Sequence, residues 1–209
     1  MKLLLAVLMV GVLGVGALCF QTDGFTVLTT EAARRADIAR HPKALPDAAL
    51  RMSAGVSAPF LQALREDGRI AIVNFMYTRC FSICLAMGGE FQQLQDAIQQ
   101  GGLSDRVRII SLSFDPADTS DDLARYAARM RAQPGIWQFA GIADAEERKA
   151  LLDAFGIVVV PAPLGQYEHN AAYHVVTPEG QLARIVDIGD AAGLLDDVSA
   201  RIRGVGTVQ

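Results

Sequence analysis

Residues 70–77, "IAIVNFMY", are almost continuously apolar and have the length of an ordinary strand. Such a run predicts a strand that is buried on both faces of a sheet. Residues 107–114, "VRIISLSF", predict a second strand, which ends at Asp115-Pro116. In the final third, "AAYHVVT" (171–177) and "LARIVDIG" (182–189) predict two shorter strands, joined by a turn at Pro178-Glu179-Gly180.

Helical signals separate these strands. The first predicted helix begins near Phe81 or Ser82, and Gly88-Gly89 is expected to break or kink it before it ends at Gly101-Gly102. A capping-box pattern, Thr119-x-x-Asp122, begins the next helix. Asp144-x-x-Glu147 begins a third, which ends at Gly156, and apolar residues at helical spacing between 194 and 202 mark a last one.

The order of elements is therefore β-α-β-α, an extra helix, a β-hairpin and a terminal helix. The first βαβ unit should be parallel and right-handed. A final antiparallel hairpin on such a sheet predicts a thioredoxin-like α/β fold, with a central mixed sheet flanked by helices. Cys80 then lies at the carboxyl end of the first central strand, where open α/β sheets place their chemistry.

The N-terminal segment has a different character. Residues 3–20, "LLLAVLMVGVLGVGALCF", carry no charge and follow Lys2, which predicts an uncleaved membrane anchor with the rest of the chain outside the cytoplasm. A signal peptide cleaved after Ala17 is the alternative. We expect an anchor at 1–21, a tether at 22–43 and a globular domain at 44–205. This predicts an inner-membrane protein whose domain faces the periplasm or an equivalent space.

The net charge of the chain limits the expected classes of binding partner, and its cysteine content limits the chemistry expected at the site. The net charge of −4 and the pI of about 5.3 disfavour nucleic-acid binding. Of the three cysteines, only Cys80 and Cys84 lie beyond the predicted anchor. Outside the cytoplasm this CxxxC pair can form a permanent disulfide, a redox couple or a metal clamp. The disulfide loop is too short to restrain the unfolded chain much, so redox or metal chemistry is favoured.

The histidines supply candidates for a third metal ligand. Two thiolates favour Cu(I) or Zn, and an imidazole completes either set. His41 falls in the tether and is interpreted as a solvated residue, whereas His174 lies within a predicted strand as a core histidine. His169 lies in the segment 161–170, which we expect to be a partly mobile loop beside the cysteine helix. His169 is therefore the candidate ligand.

Three segments in order, "FMYTRCFSIC", "SLSFDPADTSDDLARY" and "YEHNAAYHVVTPEGQL", resemble the Sco/SenC family of membrane-tethered copper-handling proteins. The resemblance implies a copper chaperone for the dicopper centre of cytochrome c oxidase, with Cys80, Cys84 and His169 binding Cu(I) or Cu(II). It also implies thiol-disulfide activity of Cys80 and Cys84 on that centre, and as partners the oxidase copper-centre subunit and a thiol reductant or another copper chaperone. Asp115 matches the family's Asp-Pro segment, where a turn and helix-cap role is the favoured interpretation.

The chain departs from that family in places, and alternatives stay open. Leu85 replaces the usual proline after the second cysteine, Phe81-Ser82 replaces Pro-Asp, and Asn170 follows the histidine in place of serine. The main alternative is a metal-independent extracytoplasmic thiol-disulfide reductase. A copper-dependent sensor or scaffold, or a peroxiredoxin, fits the sequence less well.

Overall fold

The computed structural model describes residues 9–17, 29–53, 55, 57–80 and 83–205, and the side chains of these residues except 83–87 and 205. The chain divides into two compact units, Met1–His41 and Pro42–Gln209. The first unit contains helix α1 (residues 9–17) and helix α2 (Thr30–Arg40). Within the described residues, no helix combines the length and apolar character needed to cross a membrane. Much of the predicted anchor, residues 3–8 and 18–20, lies outside the described part.

The second unit is built on one eight-stranded mixed sheet. Its strands are β1 (Lys43–Ala44), β2 (Ala49–Met52), β3 (Ser57–Pro59), β4 (Ile70–Met76), β5 (Val107–Ser113), β6 (Trp137–Ile142), β9 (Tyr173–Val176) and β10 (Gln181–Val186). They are arranged in the order β1-β10-β9-β4-β5-β6-β2-β3. Strand β4 runs parallel to β5 and antiparallel to β9, so the predicted βαβ unit and the terminal hairpin are both present.

Helices pack on both faces of this sheet. They are α3 (Phe60–Asp67), α4 (Ile83–Gln100), α5 (Ser120–Arg129), α6 (Ala145–Phe155) and α7 (Ala191–Val205). Alternate residues of β4 serve opposite faces, as the strand period of two requires. Ile72 joins a core cluster with α4 and α7, whereas the Phe75 ring contacts Phe155 of α6 at a centroid distance of 5.0 Å. The thioredoxin-like α/β class is thus confirmed.

The capping signals are confirmed in detail. Thr119 and Asp122 form a reciprocal capping box at the start of α5. Asp144 caps α6 by accepting hydrogen bonds from the amides of Glu146 and Glu147, and Gly156 ends the helix with φ of 70°. These are local interactions within four residues, so the sequence pattern alone could specify them.

Helix α4 contradicts the predicted break at Gly88-Gly89. The helix runs without interruption from Ile83 to Gln100. Gly88 is buried and packs closely against Met130, the residue that caps the end of α5. A β-carbon at Gly88 would lie only 2.4 Å from the Met130 Sδ. Gly88 therefore allows close approach within a continuous helix.

Strand β6 and the short elements β1, β2, β3 and α3 did not follow from the sequence. The predicted order placed only helices between the second strand and the final hairpin, but β6 continues the parallel sheet beside β5. The 161–170 segment is also not a plain loop. It forms a separate two-stranded sheet of β7 (Val159–Ala162) and β8 (Gln166–His169), joined by a short 3-10 turn at Pro163–Gly165.

Candidate metal and thiol site

Cys80 lies in a tight turn at the carboxyl end of β4, as predicted. Its backbone amide donates a hydrogen bond to the Tyr77 carbonyl at 3.5 Å, and its side chain is 6% exposed. Cys80 takes part in a disulfide. Cys84 belongs to the first turn of α4, but its side chain lies outside the described part, as does Cys19. The pairing of Cys80 with Cys84 therefore stays a prediction.

The buried carboxylate of Asp118 accepts hydrogen bonds from the turn that contains Cys80. Asp118 is 1% exposed, and its two oxygens accept hydrogen bonds from the Thr78 amide at 2.8 Å and the Thr78 hydroxyl at 2.6 Å. The Ser113 hydroxyl, at the end of β5, donates a third at 2.6 Å. Three donors satisfy a carboxylate that burial alone would destabilise. Asp118 thus fixes the backbone two residues before Cys80.

Arg79, the positively charged residue directly before Cys80, forms an ion pair with Asp115. The Arg79 guanidinium, about half exposed, donates to Asp115 Oδ2 at 2.6 Å, and the Asp115 side chain is 1% exposed. Asp115 Oδ1 also accepts from the Ala117 amide, which confirms its turn role, whereas the cap of α5 is Thr119. The hydrogen bond from Arg79 to Asp115 raises the pKa of Arg79 above its ordinary value. Arg79 is therefore a paired charge at the site.

His169 ends β8 and lies against an aromatic wall. Its ring centroid is 5.0 Å from that of Phe114 and 6.3 Å from that of Tyr77. Tyr77 comes three residues before Cys80, and Phe114 follows β5, so the wall belongs to the same sheet edge as the cysteine turn. The structure therefore places the candidate histidine against Tyr77, whose carbonyl accepts the hydrogen bond from the Cys80 amide.

The hydrogen bond of His169 defines its tautomer. Nδ1 lies 3.0 Å from the Asn170 carbonyl oxygen, which can only accept, so Nδ1 carries the proton. Burial lowers the pKa of His169, although the Asn170 hydrogen bond opposes this. At neutral pH the ring is therefore neutral, and Nε2 carries a lone pair. Nε2 is buried and has no hydrogen-bond partner within the described residues.

The other two histidines match their predicted roles. His174 lies in β9 with 1% exposure, and its Nδ1 is 3.1 Å from the Val73 carbonyl oxygen. Its ring also contacts Phe155 edge-on. His41 is largely exposed and lies 3.2 Å from Asp37. The His174 ring packs against Phe75 and Phe155, whereas the His169 ring packs against Phe114 and Tyr77.

A complete ligand set falls partly outside the described structure. Among the described residues there is no group of three His, Cys, Asp or Glu side chains that could hold a metal ion. The Cys84 side chain, one of the three predicted ligands, is not among them. The set Cys80, Cys84 and His169 accordingly remains a prediction, with two of its members described.

Two residues of the site were not singled out from the sequence. Asp118 reads there as one acid among several in "FDPADTSDD", and only tertiary folding places it under Thr78. In the sequence, Tyr77 is simply the last residue of an apolar strand, and nothing there marks its hydroxyl group as important. Two signals could have indicated these residues. For Tyr77 the signal is a polar group at the end of a buried strand, and for Asp118 it is a second acid three residues after Asp115.

Comparison with known sequences decides the family. Residues 61–203 match the sequence profile described as SCO1/SenC, which covers more than half of the chain. The chain belongs to the SCO1/SenC family. The suspected resemblance is therefore confirmed, and the matched range contains Cys80, Cys84 and His169.

Individual SCO1/SenC relatives extend this result. The SCO1 protein homolog of Bacillus subtilis (strain 168) is 27% identical over 145 residues, which span 68% of this chain and 74% of the relative. The copper-bound structure of Arabidopsis thaliana ScoI has a TM-score of 0.65 at 20% identity, covering 76% of this chain and 98% of that one. BsSco, a member of the Sco family of cytochrome c oxidase assembly proteins in which a disulfide switch was identified, has a TM-score of 0.64 at 23% identity, covering 77% and 94%.

Proposed function

We propose that this SCO1/SenC chain is a membrane-tethered, extracytoplasmic copper chaperone that delivers copper to the dicopper centre of cytochrome c oxidase or reduces the cysteines of that centre. Its copper site comprises Cys80, Cys84 and His169. The single observation that carries the copper role is the buried Nε2 of His169, which has no hydrogen-bond partner among the described residues.

The state of His169 is typical of a metal-binding imidazole. A ligating histidine usually donates its other ring N–H to a carbonyl or carboxylate, which fixes the tautomer and leaves a lone pair for the metal. The Asn170 carbonyl takes this role for Nδ1. A buried lone pair without a partner costs free energy, and a metal–nitrogen bond offsets that cost. This favours a ligand role over a structural one.

The thiols determine which metal suits the site. Two thiolates with one imidazole form a soft donor set, which favours Cu(I) among the ions available to proteins. Cys84 lies in the first turn of α4, where backbone amides and the helix dipole stabilise thiolate. The copper bound to Arabidopsis ScoI supports copper as the cargo.

The oxidase partner is proposed from the family. BsSco belongs to a family of cytochrome c oxidase assembly proteins, which supports an oxidase subunit as the acceptor. A thiol reductant or a second copper chaperone is the proposed donor of electrons or copper. The membrane tether is proposed from residues 3–20, and it places the domain on the periplasmic face of the inner membrane or its equivalent.

A metal-independent thiol-disulfide reductase is the second candidate. The observation that favours it is that Cys80 is engaged in a disulfide. The disulfide switch identified in BsSco lends it further support. The two candidates differ in one respect, because a dithiol couple functions without His169, whereas the copper site needs it.

Oxidase activity in membranes tests the proposal. Cells that carry His169→Ala or Cys80→Ser in the full chain are grown in low and in high copper. The copper-chaperone account expects both variants to lower oxidase activity, with partial recovery of His169→Ala at high copper. If His169→Ala equals wild type at low copper while Cys80→Ser is defective at both copper levels, the reductase is the correct function.

A further inference from the structure

The hydroxyl group of Tyr77 is buried at the junction between β4 and the β7–β8 hairpin. It accepts a hydrogen bond from the Tyr167 amide at 3.2 Å. It also lies 3.1 Å from Gln166 Oε1 and 3.2 Å from the Tyr167 carbonyl oxygen, and donates its proton to one of them. Tyr77 is 1% exposed. A single hydroxyl group therefore attaches the main sheet to two consecutive residues of β8.

The ring of Tyr77 adds packing to these hydrogen bonds. It contacts the Tyr167 ring edge-on at a centroid distance of 5.2 Å and the Phe114 ring at 5.5 Å. Edge-to-face aromatic pairs of this geometry are favourable beyond the area that they bury. His169 follows Tyr167 by two residues, on the same strand and against the same rings.

Tyr77 also belongs to the turn that carries the first cysteine. Its carbonyl accepts the hydrogen bond from the Cys80 amide. The same residue therefore contacts the candidate thiol ligand through its backbone and the hairpin of the candidate imidazole ligand through its side chain. The β7–β8 sheet has only two strands, and such an isolated hairpin is marginally stable without packing against the rest of a protein.

We propose that Tyr77 is the positioning residue of the copper site, with its hydroxyl group latching the β7–β8 hairpin so that His169 is held beside the Cys80 turn. This inference rests on the proposed copper function for its purpose, whereas the latch itself is a property of the metal-free protein. Loss of the hydroxyl leaves the Tyr167 amide without its acceptor and makes opening of the hairpin easier. His169 then spends more time away from the cysteines.

Histidine modification measures the latch without any metal. Diethyl pyrocarbonate reacts with neutral, accessible imidazoles, and the chain contains three histidines, which mass spectrometry can follow separately. Tyr77→Phe in the full chain should raise the modification rate of His169 about tenfold, which corresponds to about 1.4 kcal/mol in hairpin opening. Exposed His41 and core His174 serve as internal references, and their rates should not change.

Tyr167→Phe is the matched control variant. It removes the same chemical group from the same hairpin, but the contacts of Tyr167 with the Tyr77 hydroxyl use backbone atoms. We expect wild-type modification of His169 in this variant. The latch is contradicted if Tyr77→Phe leaves the His169 rate unchanged, if Tyr167→Phe raises it equally, or if the His174 rate rises in parallel, since the last result indicates general loosening of the fold.

The rate of copper release tests whether the Tyr77 latch affects the proposed copper site. Transfer of Cu(I) from the loaded full chain to a chelator should be about tenfold faster in Tyr77→Phe, and Tyr77→Phe should add nothing in a His169→Ala background. An additive effect in the double variant overturns the claim that Tyr77 acts through His169. If wild type takes up no copper, the proposed function fails, whereas the modification result still decides whether the latch exists.

Discussion

The two adjacent glycines of α4 allow a stringent test of the packing beside the cysteine helix. Gly88→Ala and Gly89→Ala make the same chemical change at neighbouring positions of one continuous helix. Replacing glycine by alanine inside a helix stabilises it by about 0.8–1.0 kcal/mol when the new methyl group meets no obstacle. Apart from the glycine, its chain neighbours and the adjacent helix backbone, no atom of the described residues lies within 4 Å of a β-carbon at Gly89, so Gly89→Ala should gain that amount.

At Gly88 the new methyl group has no room. Its β-carbon lies 2.4 Å from Met130 Sδ and 3.4 Å from Met130 Cε, whereas ordinary contacts are about 3.5–4.0 Å. The adjoining cavity, lined in part by Gly88 and Met130, has a volume of about 10 Å³, which leaves little space for Met130 to retreat. Overpacking of this kind costs about 1–3 kcal/mol. The helix gain is common to both variants and cancels in the comparison, so Gly88→Ala should be less stable than Gly89→Ala by the overpacking cost of about 1–3 kcal/mol.

Guanidinium unfolding of the full chain in mild detergent measures this difference. The chain has one tryptophan, and buried Trp137 lies 5.7 Å from Phe91 of α4 between ring centroids, so its fluorescence reports on this core. Midpoints are compared at equal m-values, which isolates a change in stability from a change in the denatured state. If Gly88→Ala is as stable as Gly89→Ala, the close approach of α4 to Met130 is wrong.

Three further predictions concern the turn, acid stability and the membrane. Asp118→Ala should destabilise the domain by about 3 kcal/mol, since it removes the acceptor of the half-buried Thr78 amide and of the buried Ser113 hydroxyl. Asp118→Asn should cost about 1 kcal/mol, and equal midpoints of the two variants in denaturant contradict this. Burial raises the pKa of Asp67, but hydrogen bonds from Arg69 and the charge of Arg108 outweigh it and lower the pKa below the ordinary value. The Asp67 carboxylate therefore stabilises the fold above its unfolded-state pKa, and this stability is lost as the pH falls. Plots of Tm against pH for wild type and Asp67→Asn should converge on acidification. Parallel plots contradict the pairing of Asp67 with the two arginines. If residues 3–20 anchor the chain, it should resist alkaline extraction from membranes, whereas recovery of a soluble form that begins after Ala17 indicates cleavage.

Local signals in the sequence predicted much of the main sheet. The apolar run 70–77 predicted β4, since a strand buried on both faces needs no alternation, and the segment 107–114 predicted β5. Capping patterns predicted the start of α5 and both ends of α6, because these depend on residues only a few positions apart. The site position of Cys80 followed from the end of β4, a property of topology that the order of elements determines.

Interactions between distant segments account for the errors. Gly88 reads as a helix breaker, but its neighbour Met130 is 42 positions away and becomes visible only in the packed structure. Strand β7 contains Pro161, which disfavours a strand in sequence-based reasoning although a two-stranded edge tolerates it. Strand β6, "WQFAGI", is short and interrupted by Gln138 and Gly141, so its place beside β5 depends on sheet pairing.

The site shows the same division. Cys80, Cys84 and His169 were predicted from residue type, spacing and the expected fold, whereas Asp118 and Tyr77, which form hydrogen bonds with the turn that contains Cys80, were not. A carboxylate that serves backbone donors from another element carries no local signature. Supporting residues of this kind are defined by tertiary contacts, and these require coordinates.

X-ray absorption at the copper edge measures which atoms bind copper in the proposed site. The full chain is reduced, loaded with one equivalent of Cu(I), and compared with His169→Ala and Cys84→Ser. The account predicts two sulfur neighbours and one nitrogen neighbour in wild type, loss of the nitrogen in His169→Ala, and loss of one sulfur in Cys84→Ser. A wild-type spectrum without nitrogen, or one that His169→Ala leaves unchanged, contradicts a copper site made of Cys80, Cys84 and His169.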